Sequence, residues 1–262
     1  MSEPTPPNTP WRPPAEVADG PLVGAVVRLL VAAPRGLWPL LGIMLIVDLA
    51  MELAARQAGV SLDGKTFGPG EWAYLVTLAL VNAALMGTML HLLLTGRRPA
   101  GLRRGVVGYV LWTAAIAILT NSLAFFMLDT QTLPPAQVLP RFLAMAVAVI
   151  GGTIVVTRLM LLPIAWLVAD PGATAARSWV RMRGQVLSYI GGSVMLSLPV
   201  LLVGILLVSV SGSQPGQLSG AGQMISQVMS VALATISTAL SAVVYLRRVG
   251  VPEGAGEGGV HP

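Results

Sequence analysis

The chain contains no cysteine, one lysine (Lys65) and two histidines (His91 and His261) in 262 residues. Without cysteine there is no disulfide framework, no thiolate metal site and no cysteine nucleophile. Two histidines, one of them the penultimate residue, do not make a metal cluster, so neither a metal nor a cofactor is expected. Charge is scarce as well: 10% of residues are Asp, Glu, Lys or Arg, against about 25% in ordinary soluble domains. Hydrophobic residues make up 55% of the chain, and its mean hydropathy is +0.77. A fold of that composition in water could not cover its surface with the polar groups available. Soluble enzymes, disordered chains and collagen-like chains are thereby excluded, and the lipid bilayer is the solvent that fits. Gly-x-Ser-x-Gly and His-Glu-x-x-His do not occur and no P-loop is expected. The reading for activity is therefore a protein that is not an enzyme.

What the chain does have is long apolar runs. A hydrocarbon core of ~30 Å needs ~20 apolar residues in a helix. Six segments meet or approach that length: Leu37 to Ala54, Trp72 to Leu94, Val106 to Leu128, Phe142 to Val168, Val186 to Val210 and Met224 to Leu246. The expected fold class is all-α, a polytopic membrane protein with six transmembrane helices plus short interfacial amphipathic helices. Residues 1–21 carry seven prolines and neither the basic start nor the apolar stretch of a signal peptide, so they read as a disordered cytoplasmic tail. Residues 22–248 form the membrane domain, and the Gly-rich residues 249–262 read as a second disordered tail. Leu22 to Ala33, between Pro21 and Pro34, is too short to span. It reads as an interfacial helix leading into the first span, or as that span continued through a proline kink.

Fifteen of the sixteen basic residues are arginine, and the formal charge is +5. In a soluble protein a pI near 10.4 would suggest nucleic acid. Here the arginines stand at the ends of apolar runs, so no nucleic-acid partner is expected. With the N-terminus inside, twelve basic residues fall on the inner side: Arg12, Arg28, Arg35, Arg97, Arg98, Arg103, Arg104, Arg177, Arg181, Arg183, Arg247 and Arg248. Three (Arg56, Lys65 and Arg141) fall outside, and Arg158 lies within the fourth span. The positive-inside bias puts both termini in the cytoplasm of a bacterial inner membrane.

Arg-Gly occurs three times, at Arg35-Gly36, Arg104-Gly105 and Arg183-Gly184, each just before an odd-numbered span. One reading is three helical-hairpin repeats, each opened by a basic interfacial segment that meets lipid headgroups. The other is that the inner-face rule alone puts arginine there.

Charged groups inside spans are costly, ~2.5–3.5 kcal/mol on insertion scales. Counted along straight helices at 1.5 Å per residue, Asp48 and Arg158 reach similar depth. They are the preferred buried pair, with Glu52 the rival partner and Asn82 a further member of the polar site. Either the pair positions helices, or it forms a site for a substrate, proton or headgroup. Asn121 lies nearer the outer face. His91 reads as an interfacial anchor. Ser230, Ala234, Thr238 and Ala242 give the last span a small-residue face for close packing, within the chain or between chains.

The richest stretch is Arg158-Leu-Met-Leu-Leu-Pro163-Ile-Ala-Trp166-Leu-Val-Ala-Asp170-Pro171-Gly-Ala-Thr-Ala-Ala-Arg177-Ser178-Trp179-Val-Arg181-Met-Arg183-Gly184. Pro163 should kink the fourth span near its inner end. Asp170-Pro171 should open an amphipathic interfacial helix running to about Arg183 and ended by Gly184. Arg177, Trp179, Arg181 and Arg183 are its candidate headgroup contacts. This stretch resembles the glycerophosphoryl diester phosphodiesterase membrane-domain family and related six-span bacterial proteins, at Arg158, Pro163, Asp170, Pro171, Ala176, Ser178 and Gly184. In some members of that family the membrane domain precedes a cytoplasmic phosphodiesterase domain, and no such domain is expected here. The resemblance therefore implies the membrane layout and no phosphodiesterase activity. The expected partners are membrane lipids, with a partner membrane or cytoplasmic protein as a further candidate. The alternative function is a small transporter or lipid-handling permease using the Asp48–Arg158 site.

Overall fold

A computed structural model describes residues 11–17, 19–60, 68–99, 101, 103–128, 135–211 and 220–251, with the side chains of 123–128 and 135–138 excepted. Among the described residues there is no β-strand. A single 3-10 turn (Ala15–Val17) precedes helices α1 (Leu22–Val31), α2 (Leu37–Gln57), α3 (Pro69–Thr95), α4 (Arg104–Leu128) and α5 (Pro135–Leu159). Then come α6 (Leu161–Leu167), α7 (Ala175–Arg181), α8 (Val186–Val210) and α9 (Gly220–Arg248). Six stretches are long and apolar enough to cross a membrane: α2, α3, α4, α5 with α6, α8 and α9. These are the six expected spans, and the chain is a multi-pass membrane protein by that measure.

Local chemistry sets several helix ends. Pro69 occupies the first position of α3, where its missing N–H costs nothing. Glu71 accepts a hydrogen bond from the Gly68 N–H at 2.8 Å, the half of a capping box that a glycine cap permits. Gly96 ends α3 at φ +71, a left-handed conformation that favours glycine. Pro34 follows α1, which ends at Val31 as a separate helix and does not run on into α2.

α3 packs against α2, α4, α6 and α9, while α8 lies along α9. The apolar core gathers at the end of the bundle where the arginines lie. It joins Leu29 of α1, Leu37 of α2, Met89 and Leu93 of α3, Leu161 of α6, Met182 beyond α7, and Leu240 and Tyr245 of α9. Helix axes approach closely where glycine removes a side chain. Gly87 meets the Tyr109 ring, and Gly105 and Gly108 meet Trp166. The other end is open: Val147 and Ile150 of α5 and Leu202, Ile205 and Leu206 of α8 are exposed, as suits helices solvated by acyl chains.

Three expectations change. The Pro-rich segment is not an unpacked tail over residues 11–17, 19 and 20. Val17 is buried, the Trp11 Nε1–H donates to the Ala32 carbonyl, and Arg247 donates to the carbonyls of Val17 and Gly20. Residues 1–10 and 252–262, the rest of the two expected tails, lie outside the described residues. Second, the apolar face of α1 turns into the bundle. Ala25, Val26 and Leu29 are fully buried, and the helix packs on α8 and α9. Third, the three-unit pattern loses its common opening element. α1 and α7 precede α2 and α8, but residues 96–99, 101 and 103 before α4 hold no helix. The three glycines also do different work: Gly36 faces the Leu92 side chain, Gly105 abuts the Trp166 backbone, and Gly184 turns the chain at φ +77.

Candidate functional site

Of the motif residues of the richest stretch, Arg158 and Ser178 meet at the junction of α5, α6 and α7, whereas Gly184 faces open space. Pro163 has no N–H for the Leu159 carbonyl, and its ring crowds that group. The helix accordingly breaks at Met160, whose N–H reaches only the Thr157 carbonyl, at 3.4 Å. The break leaves the Arg158 carbonyl short of a partner. The Ser178 hydroxyl of α7, a buried group, donates to it at 2.8 Å. One residue on, the Trp179 ring lies under the Arg158 guanidinium, 4.8 Å from centroid to Cζ. α6 closes through Ala169, a left-handed non-glycine residue at φ 57, with the Asp170 N–H bonded to the Ala165 carbonyl at 2.8 Å.

Asp170 does not cap α7, contrary to expectation. Its Oδ1 accepts from the Gly172 N–H at 2.7 Å, an Asx turn, and its Oδ2 accepts from the Tyr245 hydroxyl at 3.4 Å. The helix starts later and runs Ala175–Arg181, because Thr174 is the cap: its Oγ1 accepts from the Arg177 N–H at 3.2 Å. A threonine at that place was a legible signal, passed over for the Asp-Pro pair. α7 buries Ser178, with Met182 just beyond it, and exposes Arg177, Trp179, Val180 and Arg181. Arg183, outside the helix, is also exposed.

The Asp48–Arg158 pair does not form. Among the described residues the salt bridge is Arg56–Glu52, at 2.6 Å. The reason is helix packing. Arg158 lies at the break between α5 and α6, in contact with α7. Asp48 is near the middle of α2, which packs on α3 and α9, whereas α5 packs on α6, α7 and α8. Asp48 is 6% exposed and has Asn82 of α3 beside it. Oδ1 of Asp48 and Oδ1 of Asn82 are each buried without a partner. The rival, Glu52, is engaged elsewhere: beside Arg56, it accepts from Gln227 Nε2 of α9 at 2.7 Å. Gln227 is the polar residue that sequence reasoning missed.

The remaining candidates are structural. His91 Nδ1 lies 2.8 Å from the Arg97 carbonyl, and the Thr95 hydroxyl donates to the His91 carbonyl at 2.7 Å. Together they fasten the turn after α3, as an anchor would. Asn121 donates to the Ala117 carbonyl of its own helix. Thr238 and Ala242 of the small-residue face are buried within the chain, while Ser230 is exposed. Among the described residues no three His, Asp or Glu side chains gather as metal ligands. An open groove of about 480 Å³ between α8 and α9 is apolar in its lining, including Pro199, Val203, Leu207, Ile225 and Met229, and reaches neither Asp48 nor Arg158.

One motif expectation needs correcting. Gly59-Val-Ser-Leu-Asp-Gly-Lys-Thr66 does have the spacing of a phosphate-binding loop. That loop works between a strand and a helix. Here Gly59 closes the helix α2, and residues 61–67 lie outside the described residues.

The chain matches no family model, no curated protein and no solved structure.

Proposed function

We propose that this protein is a non-catalytic membrane protein that engages anionic lipid headgroups, and through them or beside them a partner protein, with basic elements at its arginine-rich end. The observation that carries this reading is α7. It fastens itself to the membrane-spanning body through Ser178 and Met182, yet turns Arg177, Trp179, Val180 and Arg181 outward. An arginine pair beside an exposed tryptophan and valine suits the layer between headgroups and acyl chains. The arginine bias assigns that end to the cytoplasm of a bacterial inner membrane. The likeness of the α5–α7 junction to the membrane domains of the glycerophosphoryl diester phosphodiesterase family is part of the same proposal, supported by the joining of two motif residues, Arg158 and Ser178.

The test is the lipid shell. The full chain is extracted with its native lipids, and the anionic share of the retained lipid is compared with that of an Arg177→Gln/Arg181→Gln variant. The variant is expected to lose the anionic enrichment while keeping its helical content. Equal enrichment in both would refute the reading. A reporter fused after Ser219 should read as extracytoplasmic, and a cytoplasmic signal would reverse the orientation.

A further inference from the structure

The Arg158 guanidinium has a fixed seat at the α5–α7 junction and, among the described residues, no anion. Its side chain makes no hydrogen bond there, and its Nε is shut away from solvent without a partner. The Arg158 Cζ lies 4.8 Å from the centroid of the Trp179 ring, and a cation over an aromatic ring is held by the ring face. A guanidinium carries five N–H donors. It can grip two oxygens of a phosphate at once, which an ammonium cannot do.

The wall beside this group says what carries the phosphate. Ile154 and Val155, one turn back on α5, are exposed. An oxyanion bound here has apolar surface on the α5 side, and Arg158 has no carboxylate within ion-pair distance among the described residues. A phospholipid supplies that combination, with its phosphate on the guanidinium and its acyl chains along α5. Arg177 and Arg181 lie on the opposite flank of α7 from Trp179, about 100° per residue round the helix, so they attract headgroups without sharing this seat.

We propose that Arg158, seated against Trp179, binds the phosphate of one membrane phospholipid per chain at the junction of α5 and α7. The inference rests on the reading that α7 lies at the membrane surface, and it adds a single defined site to that general affinity.

The experiment uses the full chain in nanodiscs of equal phosphatidylglycerol and phosphatidylcholine, released for native mass spectrometry. The wild type should retain one tightly held phospholipid, and Arg158→Gln should lower that retention about tenfold, the effect of losing one charge-assisted contact. Arg158→Lys keeps the charge and guards against misfolding. It should retain less than the wild type, because lysine cannot grip two oxygens, and lysine equal to arginine would overturn the proposal. Arg177→Gln/Arg181→Gln should keep the tight lipid while losing the diffuse anionic enrichment. If Arg158→Gln keeps the tight lipid and the double variant loses its enrichment, the site is wrong and the general reading stands. If neither variant changes anything, both fail. In lipid-free micelles, protection against thermal unfolding by inorganic phosphate as strong as that by phosphatidylglycerol would keep the oxyanion site and assign it to a soluble phosphate.

Discussion

Gly105→Ala isolates the contact that holds α6 in place. A Cβ on Gly105 would lie 2.8 Å from the carbonyl carbon of Trp166 and nearer still to its oxygen. Carbon atoms rest at ~3.5–4.0 Å, so α4 and α6 would have to part by about 1 Å. Neither group can swing aside, because both belong to the backbone. The shift would also disturb the Trp166 ring, which packs edge-on against Trp112 at 6.4 Å and over Gly108. Overpacking of this kind costs about 1–3 kcal/mol, and a backbone-to-backbone clash belongs at the upper end. Gly191→Ala in α8 is the control: its Cβ would meet nothing within 4 Å, and alanine in place of glycine in a helix favours folding by up to about 1 kcal/mol. Unfolding by sodium dodecyl sulfate, followed by far-ultraviolet circular dichroism, compares the two. The expected result is a loss of about 3 kcal/mol for Gly105→Ala, with no loss for Gly191→Ala. A Gly105→Ala protein as stable as the wild type would refute the described approach of α4 to α6.

Three further outcomes follow from the same geometry. Ser178→Ala removes the donor to the Arg158 carbonyl and should cost about 1 kcal/mol, read in the same unfolding assay; no change would mean that the break at Met160 finds another donor. Ala169→Gly relieves the left-handed backbone at φ 57 and should add about 1 kcal/mol of stability, whereas a loss would argue that the Ala169 methyl group carries packing. A double-mutant cycle of Asp48→Asn and Arg158→Gln should be additive to within about 0.5 kcal/mol, as for separated sites. A larger coupling energy would restore the ion pair.

The spans were legible because apolar length is a property of the sequence alone, and it placed all six. The proline break was legible too, since Pro163 cannot accept its place in a continuous helix. Its consequence was not, because a depth counted along a straight fourth span set Arg158 level with Asp48. The start of α7 was misread through a competition between two good caps. Asp170 found its backbone partner in Gly172, two residues on, and left the cap to Thr174. Glycine at position 172 was the warning, being a poor helix former. Glu52 with Gln227 could not be read from sequence at all, because their contact crosses 175 positions and depends on α2 lying against α9.

The two charges once expected to neutralise each other are accommodated by different means. An arginine in mid-bilayer without an anion costs ~2.5–3.5 kcal/mol or more, so its lack of a carboxylate would be hard to understand there. Arg158, at the break beside α7, instead has the Trp179 ring against its guanidinium. Asp48 has no such recourse. It stays near the middle of α2 with Asn82 beside it and an unpartnered oxygen, while the nearby Arg56 is taken by Glu52. The helix break at Met160 therefore does more than bend a span. It sets Arg158 against α7 and apart from Asp48, and with that the chemistry Arg158 can perform.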